Sequence, residues 1–294
     1  MQLDWRLNAQ FAGLCVAQAR DYYQRQGLTL TINPAPPDLD VVQAVVSQPY
    51  TVGCAEESLI LAAQARGVEV VAIATMLQSS PLSLMSLPDS DLHNLPQLID
   101  KRIGVHSDGQ KALELVLSLH NIEPARVNMI KIPYRNKYQR LINGEFDAIQ
   151  CYALDEPIQL AQRIGQTPTL LKFSDYGFDA YSQVIFTPAQ LVSEQPEMLH
   201  RFLAATFAGW RWSIDHVSST AQLLVERYVE SDYQDLAYQI QSLKMIATYV
   251  QCDRQPLGVL DPARWQRSAK QLAQVGLIRA VPDLDTSVAL NIWP

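Results

Sequence analysis

The chain has 294 residues, of which 48% are hydrophobic and 18% charged, with a formal net charge of −7. That length suits one large or two modest domains, at roughly 150 residues per domain, and the composition supports a buried core rather than a disordered or low-complexity chain. Lys and Arg are scattered, so the basic footprint of a nucleic-acid binder is missing, and no apolar run approaches the roughly 18 residues needed to cross a bilayer. The four cysteines, Cys15, Cys54, Cys151 and Cys252, lack the paired spacing of zinc or redox motifs and read as buried free thiols. Met1 stands just ahead of the first expected strand with neither a basic nor an apolar leader region. The expected location is therefore cytoplasmic if Met1 is the native start and extracytoplasmic if a leader has been removed.

In chain order, Leu3-Asp4-Trp5-Arg6-Leu7-Asn8 reads as a short strand ending in an aromatic and an amide, followed by a small-residue helix from Ala12 to Ala19. A strand over Leu28 to Asn33, the turn-rich Pro34 to Asp38, a helix over Val41 to Ser47 and a strand over Tyr50 to Ala55 come next. Glu57 to Arg66 reads as a helix and Val68 to Ala74 as a buried strand. The alternation predicts an α/β architecture with a largely parallel sheet and crossover helices. Ser79 to Ser90 turns to Ser, Pro and Leu, and Lys101-Arg102-Ile103-Gly104-Val105 restarts the strand–loop–helix theme. Strands at Val127 to Ile132, Ala148 to Cys151, Leu170 to Phe173 and Ser182 to Phe186 follow. From Pro196 the chain is nearly all helical. Residues 1–88 with 178–294 are expected to form lobe one and 89–177 lobe two, joined twice, with a hinge and a cleft between them.

Three constellations carry chemistry. The turn Gly104-Val105-His106-Ser107-Asp108-Gly109 joins a strand to a helix, so Ser107, Asp108 and Gly109 either hold an anionic group on backbone N–H groups or form an ordinary turn with Ser107 or Asp108 capping the helix. Asp108 itself argues against a strongly anionic ligand. After the strand Ala148 to Cys151, Glu156 either accepts hydrogen bonds from an aminopyrimidine-like edge or interacts with the first turn of its own helix, while Tyr152 stacks or donates. In Asp175-Tyr176-Gly177-Phe178-Asp179-Ala180-Tyr181, the rings of Tyr176 and Tyr181 either wall a cleft with Trp5 or pack in the core. Glu57, at the start of a helix, joins the candidate set with Asn8 and Phe11. The five histidines show no ligand spacing, so no metal is expected, and neither a hydrolase elbow nor a dinucleotide-binding glycine motif is present.

Taken with Gly53, Val70 to Ala74, Leu141-Ile142-Asn143-Gly144-Glu145-Phe146-Asp147-Ala148, Asp175-Tyr176-Gly177 and Phe202 to Trp210, the opening segment resembles the NMT1/THI5-like (SsuA/THI5) family over most of the chain. The resemblance implies a type II periplasmic-binding-protein fold of two lobes. The combination of Trp5, Tyr152, Glu156 and Asp175-Tyr176-Gly177 looks closest to the branch that binds thiamine-pyrimidine precursors, in which the Glu recognises the aminopyrimidine edge and aromatic rings stack on it. Phe11 stands where the family often has His. The fungal synthase of this family carries its cofactor and chemistry on a lysine and a histidine whose counterparts here are Ala55 and Leu59, and its Cys-rich motif is missing. The resemblance therefore implies a binding protein with no cofactor rather than a synthase.

The expected function is capture of a small molecule, a thiamine-related aminopyrimidine, for ABC import, with an ABC permease as partner. A ligand-sensing or regulatory domain of the same fold is the alternative, and a pyrimidine synthase a disfavoured third.

Overall fold

In the computed structural model, which describes residues 1–36, 39–133, 136–250 and 257–294, strands and helices alternate along the first two thirds of the chain. The first part comprises helices α1 (Ala12–Ala19), α2 (Tyr22–Arg25) and α3 (Val41–Val46), strand β1 (Gly53–Ala55), helix α4 (Glu57–Gln64) and strand β2 (Val70–Leu77). Strands β3 (Leu82–Ser86) and β4 (Arg102–Val105), helix α5 (Ser107–Leu119), strand β5 (Asn128–Lys131), helix α6 (Lys137–Ile142), strand β6 (Ala148–Tyr152), helix α7 (Glu156–Ile164) and strand β7 (Thr169–Lys172) follow. The chain then runs through β8 (Ser182–Pro188) into helices α8 (Ala189–Glu194), α9 (Pro196–Asp215), α10 (Val217–Arg227), α11 (Leu236–Val250), α12 (Pro262–Gln274) and α13 (Leu284–Ser287). Among the described residues, no helix is long and apolar enough to cross a membrane.

Two compact units result: one of residues Met1–Ser79, Ala180–Ala269 and Ala280–Pro294, the other of Ser80–Asp179 and Lys270–Arg279. The chain passes from unit to unit at Ser79/Ser80 and Asp179/Ala180, and again on either side of the C-terminal segment 270–279, which sequence order alone does not set apart.

The first unit holds a sheet of order β1-β8-β2, in which β8 runs antiparallel to both neighbours. The expectation of a largely parallel sheet fails here for a topological reason: β1 and β2 share a direction, but the strand returning from the second unit inserts between them. The expected first strand is also cut short. Gln2 makes isolated parallel bridges to Asn33 and Gly53, the chain bends from Asp4, and Leu28 to Asn33 contributes only its last residue to the pairing.

The second unit holds a sheet of order β5-β4-β6-β3-β7. There β4 is parallel to β5 and β6, while β3 is antiparallel to β6 and β7. Strand β3 falls in the Ser79 to Ser90 stretch that the sequence leaves without an element. All five of its residues are buried because it lies between two partners, which supply the backbone hydrogen bonds that its Ser residues do not advertise. Met85, Ile132, Leu141, Phe146, Ile149, Cys151 and Leu160 close the core of this unit.

Cys15, Cys54 and Cys151 are free and buried as expected; Cys252 lies outside the described residues, as do Pro37 and Asp38 of the turn-rich segment.

Helix α9 packs on α1 at a distance that only small residues permit. A Cβ on Gly13 would sit 2.3 Å from the Trp210 ring, and one on Gly209 would sit 2.1 Å from the Gly13 carbonyl. Tyr23 Oη and Thr206 Oγ1 share a buried hydrogen bond of 2.8 Å beside this contact. Gly13→Val is expected to lower stability by about 2 kcal/mol or more through overpacking, read from chemical denaturation. A loss under about half a kcal/mol contradicts the close-packed α1–α9 contact.

Candidate functional site

Open α/β sheets bind ligands beyond the carboxyl ends of their parallel strands. In the second unit those ends deliver three side chains to one place: His106 follows β4, Lys137 opens α6 after β5, and Glu156 opens α7 after β6. All three are buried, at 6%, 2% and 5% exposure.

Local sequence explains how each arrives. Asn136 takes the left-handed conformation (φ 63°), which asparagine tolerates better than most residues, and turns the chain into α6 at Lys137. Asp155 holds the N-cap of α7 with Glu156 in its first turn, where a carboxylate suits the positive end of the helix dipole. His106 is the N-cap of α5, which starts at Ser107, earlier than the sequence suggests.

The Lys137 ammonium is hydrogen-bonded to Glu156 Oε1, and Glu156 Oε2 accepts from the Tyr152 backbone N–H at 2.5 Å. On its other side Lys137 Nζ lies 3.5 Å from His106 Nε2. His106 Nδ1 is 2.9 Å from the Ile132 carbonyl oxygen, which can only accept, so the ring proton sits on Nδ1 and the Nε2 lone pair faces the ammonium. Burial first and the Lys137 charge second push the His106 pKa down to about 3, against the Ile132 hydrogen bond that raises it. The imidazole is neutral, and the trio as a whole is formally neutral. The Cys151 thiol below is pushed well above its ordinary value, by burial first and then by the Glu156 charge.

Gln150 braces this edge from β6. Its Oε1 accepts the His106 backbone N–H at 2.7 Å, and its side chain lies so close to the first turn of α5 that a Cβ on Gly109 would meet Gln150 Cδ at 2.0 Å. A side chain at 109 would therefore have to displace the end of the Gln150 side chain, and the constraint there comes from this neighbour rather than from backbone conformation. The side chains of Ser107 and Asp108 lie outside the described residues.

Of the sequence-derived candidates, Gly109, Tyr152 and Glu156 meet at this edge, with Tyr152 half-buried. Tyr176, also in the second unit, is engaged elsewhere: its carbonyl lies 3.0 Å from His120 Nε2, its ring meets the His120 ring at 5.5 Å edge-on, and its hydroxyl donates to the His93 carbonyl at 3.4 Å.

The remaining candidates belong to the first unit. The Trp5 indole N–H donates to Tyr233 Oη at 3.1 Å. Asn8 is buried and caps the turn Ala9–Phe11 by accepting from the Gln10 N–H at 2.8 Å, while Phe11 is wholly buried in the core. Glu57, buried after β1, accepts the Tyr181 N–H at 2.6 Å. The Tyr181 hydroxyl accepts from the Asp261 N–H at 2.8 Å, and the Arg264 guanidinium stands 4.0 Å over its ring. Neighbouring carboxylates not singled out from sequence are Glu56, which accepts from the Ser182 hydroxyl, and Asp4, which accepts from Gln183 Nε2 at 3.2 Å.

His106 and Lys137 were also absent from the candidate set. A lysine in the polar run Asn136-Lys137-Tyr138-Gln139-Arg140 reads as solvated; the available signals were Asn before it, fit for a left-handed turn, and its place after a parallel strand.

The fold is that of SsuA-type periplasmic binding proteins. The alkanesulfonate-binding protein SsuA from Xanthomonas axonopodis pv. citri bound to MOPS matches with a TM-score of 0.75 at 14% identity, over 98% of this chain and 97% of that one. The aliphatic sulphonate binding protein SsuA from Escherichia coli matches at 0.73 and 13% identity, over 99% and 98% of the two chains. The NMT1/THI5 like family profile matches residues 8–218, and the chain belongs to that family. Among its relatives, the 4-amino-5-hydroxymethyl-2-methylpyrimidine phosphate synthase of Legionella pneumophila is 25% identical over 228 residues, 76% of this chain and 72% of that protein. The riboflavin-binding protein RibY of Chloroflexus aurantiacus is 24% identical over 297 residues, 98% of this chain and 83% of that one.

The neutral His106 has a pH consequence. Between about 3 and the ordinary 6.5, the unfolded chain binds a proton at His106 that the folded chain refuses. The stability is present in full above 6.5 and falls as pH drops through this window, by about 1.4 kcal/mol per pH unit from this group. His106→Asn, which keeps an N–H for the Ile132 carbonyl, is expected to flatten the slope by that amount in urea titrations across the window. An unchanged slope contradicts the assignment.

Proposed function

We propose that this chain is a small-molecule binding protein that holds a thiamine-related aminopyrimidine at the carboxyl edge of β4, β5 and β6, as the ligand-binding component of an ABC importer. The observation that carries the reading is the buried, formally neutral pair of Lys137 and Glu156. An aminopyrimidine edge offers an amino N–H beside a ring-nitrogen lone pair. Glu156 matches the first as an acceptor and Lys137 the second as a donor, so one edge is read at two points without adding charge to a buried site. Tyr152, half-buried next to Glu156, supplies a ring for the pyrimidine face, and Gly109 keeps the turn of α5 open for Gln150.

Relatives support the ligand class and the role separately. The Legionella pneumophila relative is named for a 4-amino-5-hydroxymethyl-2-methylpyrimidine phosphate, and the ligand-binding component of an ABC-type import system from Staphylococcus aureus shares the fold at a TM-score of 0.72, at 13% identity over 99% of this chain and 97% of that one. The role of a binding protein rather than a synthase rests on Ala55 and Leu59. Ala55 ends β1 wholly buried and carries no amine, and Leu59 has no imidazole, so these positions do not fit a lysine-linked cofactor.

Calorimetric titration tests the site. Glu156→Gln is expected to weaken aminopyrimidine binding by about 1.5–3 kcal/mol, the worth of a charge-assisted hydrogen bond. Wild-type protein that binds a sulfonate or riboflavin but no aminopyrimidine overturns the ligand assignment. Treatment with pyridoxal phosphate and borohydride is expected to give no stoichiometric adduct on a single lysine; such an adduct contradicts the non-enzymatic role. A deletion strain that accumulates the pyrimidine as fast as its parent removes the importer role.

A further inference from the structure

Building on the aminopyrimidine reading, we infer that this site takes its ligand as the free alcohol and rejects the phosphate ester. Three features that a phosphate would need are already committed inside the protein. The first is the buried ammonium: Lys137 is matched by Glu156, and a phosphate drawn to Lys137 would leave a buried carboxylate facing a second anion. The second is the start of α5. A glycine-bearing turn at a helix N-terminus would suit an anion, but the Gln150 side chain lies on it, 2% exposed, with its Oε1 on the His106 N–H and its Cδ within 2.0 Å of where a Cβ of Gly109 would stand. The third is His106, which cannot lend a positive charge because its Nδ1 proton is held by the Ile132 carbonyl and its Nε2 lone pair faces Lys137.

A second carboxylate among the described residues has the wrong sign for a phosphate. Asp155, wholly buried at the start of α7, accepts from Gln159 Nε2 at 2.7 Å. Among the described side chains, one cation stands against Glu156 and Asp155 at this edge, which leaves no surplus positive charge there for a dianion, whereas a hydroxymethyl group asks only for ordinary hydrogen bonds.

The test compares 4-amino-5-hydroxymethyl-2-methylpyrimidine with its phosphate ester by calorimetry on the intact chain. The ester is expected to bind at least about a hundredfold more weakly, the low end of what uncompensating a buried charge costs. Equal or tighter binding of the ester overturns the inference. A second arm needs no pyrimidine: Glu156→Gln releases Lys137 and is expected to gain binding of inorganic phosphate that the wild type lacks. Gln150→Ala, which clears the turn of α5, gives the same readout should Glu156→Gln not fold. Folded variants that gain no phosphate binding overturn the charge argument. Wild type that binds neither pyrimidine while the variants take up phosphate overturns the aminopyrimidine reading and supports the charge selectivity.

Discussion

An ammonium group removed from water must be given a counter-charge, and the carboxyl edge of the second unit is organised around that requirement at Lys137. Glu156 supplies the charge. Its own position is fixed by the first turn of α7 and by the Tyr152 N–H, so the acceptor is oriented before any ligand arrives. Lys137 opens α6, where the helix dipole disfavours a cation, so the pair has to offset that cost as well as desolvation. His106 then follows from Lys137: a charged imidazole beside a buried ammonium would be repelled, and the ring settles as the neutral tautomer that accepts from Nζ.

This arrangement bears on chemistry more directly than the fold does. Proteins similar to this chain in sequence are named as a pyrimidine phosphate synthase and a riboflavin-binding protein, and proteins of the same fold as sulfonate-binding proteins, so architecture alone does not choose the ligand. The site described in this chain has charges that cancel internally. On the proposed function, a buried donor beside a buried acceptor suits a neutral heterocycle with the complementary edge better than a ligand that brings net charge. Gln150 reinforces the point by filling, with a neutral amide, the turn that glycine leaves open.

Much of the fold was legible in the sequence, because its elements announce themselves by burial pattern. Val70 to Ala74 and Ile103 to Val105 are apolar runs bounded by turns, and both lie within strands; the helices over Val41 to Val46 and Pro196 to Asp215 follow their apolar spacing. Strand β3 was not legible. Its Ser-rich, Pro-preceded run gains its identity from β6 and β7, partners far along the chain. The opening segment failed in the opposite direction, since Leu3 to Asn8 has strand composition but turns away after a bridge at Gln2. At the site, Glu156 was legible as the carboxylate that follows a strand and opens a helix, and the structure places it in the first turn of α7. Lys137 was not, because nothing local to a polar helical turn says that its ammonium will be buried; only the folded chain brings it to a partner nineteen residues onward.

The central claim is that His106, Lys137 and Glu156 form one buried, internally neutralised unit that meets the ligand. Nitrogen-15 NMR of the His106 ring tests it most directly. The account predicts a neutral ring with its proton on Nδ1 that does not titrate through the ordinary histidine range, and an Nε2 resonance that moves when an aminopyrimidine binds. A ring that titrates near its ordinary pKa, or an Nε2 signal indifferent to saturating ligand, would contradict it.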